Sequence, residues 1–134
     1  MATTMFSTSK VANLIINDNA LVGDVLNVDF FPYWFRIVDL QVFLGGLTHG
    51  SPDDLDFLLR GPNGLTFEFW SDAGGSADII NGNFTISDAA ASALPDATAI
   101  TSGTYRPADY GAVEPTTNNH PAPNGTATFD SVFG

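Results

Sequence analysis

Alternating apolar and polar positions divide most of the chain into short stretches that end at Gly, Pro, Asn or Asp. The clearest stretch is residues 35–44 (FRIVDLQVFL), in which every second residue from Val38 to Leu44 is apolar and faces the same side. A period of two is typical of a β-strand with one face in the core and the other partly in water. Gly45 and Gly46 follow directly, and they predict a bend or bulge.

Two neighbouring stretches predict a hairpin. Residues 55–60 (LDFLLR) and 65–70 (LTFEFW) both alternate, and residues 61–64 between them read GPNG. Pro62 presets φ at the first turn position, and the Asn and Gly that follow it accept a positive φ. We therefore expect these two stretches to pair as antiparallel strands.

Four other stretches carry weaker strand signals. Residues 12–18 (ANLIIND), 24–30 (DVLNVDF) and 83–87 (NFTIS) are short and rich in apolar or β-branched residues. Residues 126–133 (TATFDSVF) alternate weakly and predict a last strand. Short strands separated by turn residues are typical of an all-β protein.

The segment between residues 87 and 126 lacks a clear strand pattern. Residues 88–94 (DAAASAL) have helix-forming composition, but Pro95 ends the run, so we expect no more than one helical turn. Residues 95–125 are rich in Pro, Thr and Asn. We interpret them as a long ordered loop, which Tyr105 and Tyr110 anchor.

Length and composition favour a single domain. The chain has 134 residues, of which 44% are hydrophobic, and this is enough to bury a core without disulfides. We expect one β-sandwich domain over residues 1–134, with residues 1–11 as an N-terminal arm. The absence of cysteine from the sequence excludes a disulfide scaffold, a thiol nucleophile and cysteine-ligated zinc.

The charge balance narrows the classes of partner. Four Lys and Arg residues stand against fifteen Asp and Glu residues, which gives a formal charge of −11. Nucleic-acid binding needs a basic surface, and anionic membranes also attract basic proteins, so we expect neither partner. Such an acidic surface suits calcium, basic partners or plain solubility.

The histidines offer little for catalysis. A hydrolytic triad needs a nucleophile, a base and an orienting group. His49 lies in a turn between predicted strands, with no nucleophile motif nearby, and we expect it to hydrogen-bond the neighbouring backbone. His120 lies between Asn119 and Pro121 in the long loop, where we expect it to be solvated. We therefore predict that the protein is not an enzyme.

Aspartates near the predicted hairpin form a candidate calcium site. Asp53, Asp54 and Asp56 precede or begin its first strand, and Asp72 and Asp78 follow its second strand. A regular hairpin brings both groups to the same end, and Ca²⁺ takes six to eight oxygen ligands, often from such loops. The alternative is that these carboxylates cap turns by accepting hydrogen bonds from backbone N–H groups.

Aromatic residues form a candidate interface. Phe31, Tyr33 and Trp34 lie in a run of five aromatics within residues 30–35, and a strand can bury only every second one on a given face. Trp70, at the end of the predicted hairpin, is a further aromatic side chain that could be exposed at an interface. Exposed aromatics mark interfaces. The alternative is that these side chains are buried under the 101–123 loop.

Several of these stretches, taken in order, resemble the proprotein convertase P domain, also called the P/Homo B domain. The residues that carry the resemblance are LTHGSPDDLDFLLRGPNG at 47–64, SDAGG at 71–75, NFTISDAAASALP at 83–95 and ITSGTYRPADY at 100–110, with LIIND at 14–18. The resemblance covers about residues 12–134. Two departures from the family pattern are that this sequence does not contain the strands expected after residue 134, so that it is truncated at its C-terminus relative to the family, and that it does not contain a protease domain. We expect either a fragment or a member that closes its sandwich differently.

The resemblance implies a fold and a role. It implies an antiparallel β-sandwich of jelly-roll type, and a non-catalytic module that usually accompanies a subtilisin-like protease domain or lies in a large secreted protein. The N-terminal residues (MATTMFSTSKVANLIIND) lack the basic and apolar regions of a secretory signal, so a natural start at Met1 favours synthesis in the cytoplasm.

Two functional hypotheses follow. The first is a homo-oligomeric structural subunit of an exterior assembly, such as a phage capsid cement or decoration protein. It is made in the host cytoplasm and carried in the virion, where neighbouring capsid or other subunits cover its open sheet edges. The alternative is a P-domain-like accessory module, stabilised by calcium, of a secreted subtilisin-like protease or adhesin, which is extracellular and works beside a fused protease domain.

Overall fold

The computed structural model describes the chain in two units, Met1–Phe35 and Arg36–Gly134. The described residues are 5–11, 13–17, 22–28, 36–62, 64–110 and 127–134. Each unit is described by itself, and the single domain expected for residues 1–134 stays a prediction. No helix among the described residues is long and apolar enough to cross a membrane.

The first unit has no helix or strand in its described part. The strands expected at residues 12–18 and 24–30 are therefore wrong over the described residues 13–17 and 24–28. Apolar character alone does not make a strand, because its backbone groups need a second strand to pair with, and none pairs with these residues in the described chain. Lys10 Nζ donates to Asp24 Oδ1 at 2.5 Å, an exposed ion pair that contributes little to stability.

The described part of the second unit contains six strands, one 3-10 helix (Pro52–Asp54) and one short α-helix. In chain order the strands and the α-helix are β1 (Gln41–His49), β2 (Asp56–Arg60), β3 (Thr66–Ser71), β4 (Ile79–Ser87), β5 (Gly103–Tyr105), β6 (Ala108–Asp109) and α1 (Phe129–Phe133). Sheet A has the order β1-β4-β5, and sheet B has the order β2-β3-β6. In each sheet the first two strands pair antiparallel and the third adds in parallel. The all-β class is confirmed. The structure shows two small mixed sheets, and the jelly-roll sandwich stays a prediction.

The hairpin of β2 and β3 is confirmed. Arg60 lies opposite Thr66, and the strands pair antiparallel from there to Asp56 and Ser71. Gly64 adopts φ 82°, and its N–H donates to the Gly61 carbonyl at 3.0 Å. Proline, glycine and alternation are local signals, which is why the sequence located this element correctly.

The first long strand is displaced from its expected position. β1 begins at Gln41 rather than at residue 35, and it continues to His49 instead of ending at Leu44. The register with β4 shifts between Leu44 and Leu47, so the expected bulge is confirmed inside the strand. Gly46 makes the bulge possible, because it adopts φ 66° and its N–H donates to Asn83 Oδ1 at 3.1 Å.

The segment expected to be a loop contains two strands. β5 and β6 are three and two residues long, and both pair in parallel with strands far away in the sequence. Tyr110 Oη donates to the Leu94 carbonyl at 2.5 Å, as expected of an anchor, whereas Tyr105 Oη donates to the Thr101 carbonyl at 2.7 Å within the same segment. Residues 88–94 form turns rather than helix, and Ala93 bridges to Arg106.

The core is centred on β3, whose side chains are buried on both faces from Phe67 to Ser71. Phe67 and Phe69 contact the ring of Phe129 in α1, at centroid distances of 5.1 and 5.6 Å. Trp70 packs edge-on against Phe84 of β4 at 5.3 Å. The register with β2 shifts between Phe57 and Leu58 and leaves Phe69 without an opposite residue, so strict alternation does not continue through β3.

The expected last strand at residues 126–133 is wrong, because α1 forms there. Thr128 caps the helix by accepting a hydrogen bond from Ser131 N at 3.0 Å, and Ser131 Oγ accepts one from Thr128 N at 2.7 Å. Asp88 Oδ1 and Oδ2 accept hydrogen bonds from Phe129 N at 3.0 Å and Asp130 N at 2.9 Å. These bonds satisfy the free N–H groups of the first turn, and the negative charge suits a helix N-terminus.

We expect Asp88→Ala to lower the free energy of unfolding by about 1–3 kcal/mol, because two backbone donors of α1 lose their charged acceptor. Urea unfolding followed by tryptophan fluorescence measures the change. Asp96→Ala is the matched control, since Asp96 is exposed and caps no helix, and it should change the free energy of unfolding by less than about 0.5 kcal/mol. An equal loss in both variants would show that Asp88 does not hold α1 in place.

Candidate functional site

Acidic side chains meet at one end of sheet B. The strand register places Asp56 of β2 opposite Ser71 of β3, and Ser71 opposite Asp109 of β6. Residues opposite each other across strands project from the same face of a sheet. Asp72 follows directly after β3 with φ 50°, a left-handed conformation that Asp adopts more readily than most residues. We call Asp54, Asp56, Asp72 and Asp109 the acidic end of sheet B.

The surroundings at this end of sheet B disfavour the ionised form of Asp56. Partial removal of the carboxyl group from water is the main cause that raises the pKa of Asp56, although the residue as a whole is exposed, and the negative charges of Asp72, Asp109 and Asp54 raise it further. A hydrogen bond from the Ser71 side chain opposes this rise. Ser71 Oγ also lies 3.3 Å from Asp72 Oδ2, and one hydroxyl proton cannot be donated to both carboxylates at once.

The structure brings some of the candidate calcium ligands together. Asp54 and Asp72 lie close enough to Asp56 to shift its pKa. Asp53 lies in the short 3-10 helix Pro52–Asp54, where its backbone N–H donates to the Gly75 carbonyl at 3.2 Å. Asp78 lies next to the turn after β1, since a Cβ added at Gly50 would be 4.0 Å from its Oδ1.

The described residues contain no group of three or more His, Asp or Glu side chains arranged to hold a metal ion. Calcium binding therefore stays a prediction for the five aspartates. Sequence reasoning missed Asp109, which lies in the segment expected to be a loop. Its place beside Ser71 depends on the parallel pairing of β3 with β6, and the sequence carries no local signal for that pairing.

His49 has the structural role expected of it. Its Nδ1 lies 3.2 Å from the Ser51 amide nitrogen and 2.9 Å from the Ser51 carbonyl oxygen. The neutral ring accepts from the amide when the proton is on Nε2, and it donates to the carbonyl when the proton is on Nδ1. Either tautomer ties the ring to the turn after β1. His120 lies outside the described residues.

The candidate interface aromatics divide into two groups. Phe31, Tyr33 and Trp34 lie outside the described residues, so their role as an interface stays a prediction. Trp70 is described and has 0% exposure, and it packs against Phe84 and against Phe57 at 5.5 Å. It therefore presents no surface to a partner in this fold. Its Nε1 is buried without a hydrogen-bond partner in the described chain.

A different aromatic is exposed. Phe43 of β1 is 66% exposed, and its ring lies against Gly45, where an added Cβ would come within 2.9 Å of Cε1. The register places Phe43 opposite Thr85, and Thr85 beside Thr104 of β5. We call Phe43, Asn83, Thr85 and Thr104 the neutral face of sheet A. Alternation in β1 already placed Phe43 away from the core, but alternation does not show what lies over that face.

Charge is distributed unequally between the two sheets. The strands of sheet A contain no Asp, Glu, Lys or Arg, whereas those of sheet B contain Asp56, Arg60, Glu68 and Asp109. Ile80, near the start of β4, adds a second exposed apolar side chain to sheet A at 78%. Sheet A is thus uncharged and partly apolar on the surface of a strongly acidic chain.

Comparisons with protein-family models, with curated proteins and with solved structures gave no match. The resemblance to the proprotein convertase P domain therefore stays a prediction that depends on the motifs themselves.

We expect Asp56→Asn to stabilise the protein at pH 7 and to have less effect as the pH falls. The raised pKa of Asp56 means that the folded state binds its proton more tightly than the unfolded state. The free-energy cost of the ionised carboxylate is therefore fully present above the pKa of Asp56 in the folded state. This cost disappears as the pH falls toward the pKa of the unfolded state, about 4. Urea unfolding at pH 7 and pH 5 measures the difference between variant and wild type.

Asp130→Asn is the control for this pH dependence, since Asp130 is exposed in α1 and far from the acidic end of sheet B in the sequence. It should not reproduce the pH-dependent gain. A loss of stability at pH 7 in Asp56→Asn would contradict the account, because it would mean that the carboxylate is favourably placed.

Proposed function

We propose that this protein is a non-catalytic structural module that acts by binding other proteins, as a subunit of an exterior assembly such as a phage capsid cement or decoration protein. The observation that carries the proposal is the uncharged sheet A with its exposed Phe43. In this proposal the subunit is made in the host cytoplasm and resides in the virion. The two sheets, which touch through Trp70 and Phe84, form a sandwich of jelly-roll type.

The charge of the chain makes a neutral contact surface necessary. A formal charge of −11 repels other acidic surfaces, including copies of the same chain. The centres of protein interfaces are depleted in charged residues and enriched in aromatic residues. Phe43 at 66% exposure and Ile80 at 78% exposure lie in a sheet without charged side chains. This combination supports a contact made through sheet A.

A second candidate is a calcium-stabilised accessory module like the P domain, belonging to a secreted subtilisin-like protease or adhesin. The acidic end of sheet B favours it, because Asp56 has three negative neighbours that raise its pKa. A divalent cation would offset this repulsion, and carboxylate oxygens are the ligands that Ca²⁺ prefers. The first candidate depends on the uncharged sheet A and the second on the acidic end of sheet B, so one experiment separates them.

Light scattering of the isolated chain, first with calcium and then with a chelator, tests the proposal. We expect a mass above that of the monomer at high protein concentration in both buffers, since the contact through sheet A involves no metal. A thermal melt of the same samples should give the same unfolding temperature with and without calcium.

A compact monomer whose unfolding temperature falls when calcium is removed would contradict the assembly proposal and support the accessory module. In that case Asp56→Asn and Asp72→Asn should reduce the effect of calcium, while Asp130→Asn should leave it unchanged. A monomer that does not respond to calcium would count against both candidates.

A further inference from the structure

The outer edge of β1 is open in the described chain. β1 lies at one end of sheet A and pairs with β4, and no other described strand pairs with it. A strand at the end of a sheet presents unpaired N–H and C=O groups, and proteins commonly protect such edges with charged residues, proline or bulges. β1 has no charge and no proline, and its bulge at Gly45 and Gly46 leaves residues 41–44 in regular register.

The corresponding edge of sheet B is protected by charge. β2 begins with Asp56 and ends with Arg60, and both residues are exposed. An approaching strand would have to pair beside these charges. The two edges therefore differ in the property that controls strand addition, and β1 is the edge that can accept another strand.

We propose that two copies of this chain pair through β1, antiparallel and about a two-fold axis, so that two three-stranded sheets form one continuous six-stranded sheet. A strand that pairs antiparallel with itself is self-complementary, as a two-fold interface requires. The net charge also favours a second copy at this edge, because two chains of charge −11 can approach closely only where both are neutral. The inference rests on the proposed function, since it names the partner in that contact.

The geometry points to Phe43 as the centre of the pairing. A two-fold axis in an antiparallel ladder relates a residue to its own copy, and within the regular residues 41–44 the interior choices are Val42 and Phe43. An axis at Val42 would leave each exposed ring opposite Gln41. An axis at Phe43 sets the two rings side by side on the neutral face, with Cβ atoms about 4.5–5.5 Å apart.

The pairing is expected to be weak and to tighten with salt. A few ladder hydrogen bonds and two rings bury less than the roughly 1,200 Å² of a standard stable interface. The two copies also repel each other through their net charges, and salt screens this repulsion over a Debye length of about 10 Å at 0.1 M. A contact made by ion pairs would weaken with salt instead.

Sedimentation velocity over a range of protein concentrations tests the contact. The wild type should show a monomer–dimer equilibrium whose dissociation constant falls as salt is added. Phe43→Lys places two cations next to each other across the axis, and we expect at least a tenfold weaker dimer. Leu58→Lys is the matched control, because Leu58 is 39% exposed on the β2 edge and the change in charge is the same.

Because the chain has no cysteine, single cysteines report the register directly. Phe43→Cys should form a disulfide-linked dimer under mild oxidation, since opposite residues of an antiparallel pair have Cα atoms about 4.5–5.5 Å apart, within the range that a disulfide spans. Gln41→Cys, two residues along the same strand, and Leu58→Cys should stay uncrosslinked at the same protein concentration. The crosslinking result tests the pairing through β1 even if Phe43→Lys does not fold.

The outcomes separate this inference from the proposed function. An oligomer that persists in Phe43→Lys, with no crosslinking of Phe43→Cys, would overturn pairing through β1 and leave the assembly proposal standing. Equal crosslinking at Gln41 and at Phe43 would overturn the register and the self-pairing together. A wild type that is monomeric at every concentration and salt would overturn both proposals.

Discussion

The second unit depends on the burial of β3 from both sides. Every side chain from Phe67 to Ser71 is buried, so the strand is stable only if both of its faces are covered. Phe129 of α1 packs against Phe67 and Phe69, and Phe84 of sheet A packs against Trp70. This requirement explains why a five-residue helix, too short to be stable alone, is capped by Asp88 from a distant turn and held against the sheet.

The same arrangement leaves sheet A with one face for the core and one for solvent. Phe84 and Ile86 are fully buried, and Phe84 packs against Trp70, while Phe43 lies on the opposite face. The charged residues of the strands are all in sheet B, where Asp56 and Asp109 flank Ser71. One end of the unit is thus acidic and one sheet neutral, and the proposed protein contact depends on this separation of charge.

Local signals and long-range contacts account for what the sequence could and could not predict. The β2–β3 hairpin, the bulge at Gly46 and the role of His49 depend on residues close together in the chain, and the sequence indicated all three. The strands β5 and β6 and the position of Asp109 depend on parallel pairing with distant strands. The helix α1 and the burial of Trp70 depend on which layer covers β3, and the alternation of TATFDSVF and LTFEFW does not contain that information.

Hydrogen exchange at two protein concentrations tests the central claim, that β3 forms the closed core while β1 is a contact surface. The account predicts that the amides of β3 exchange slowest at both concentrations, because both faces are covered. It also predicts that residues 41–44 of β1 gain protection at the higher concentration, while the amides of β2 do not change. Exchange in β1 that is independent of concentration, or β3 amides that exchange as fast as those of β1, would contradict the account.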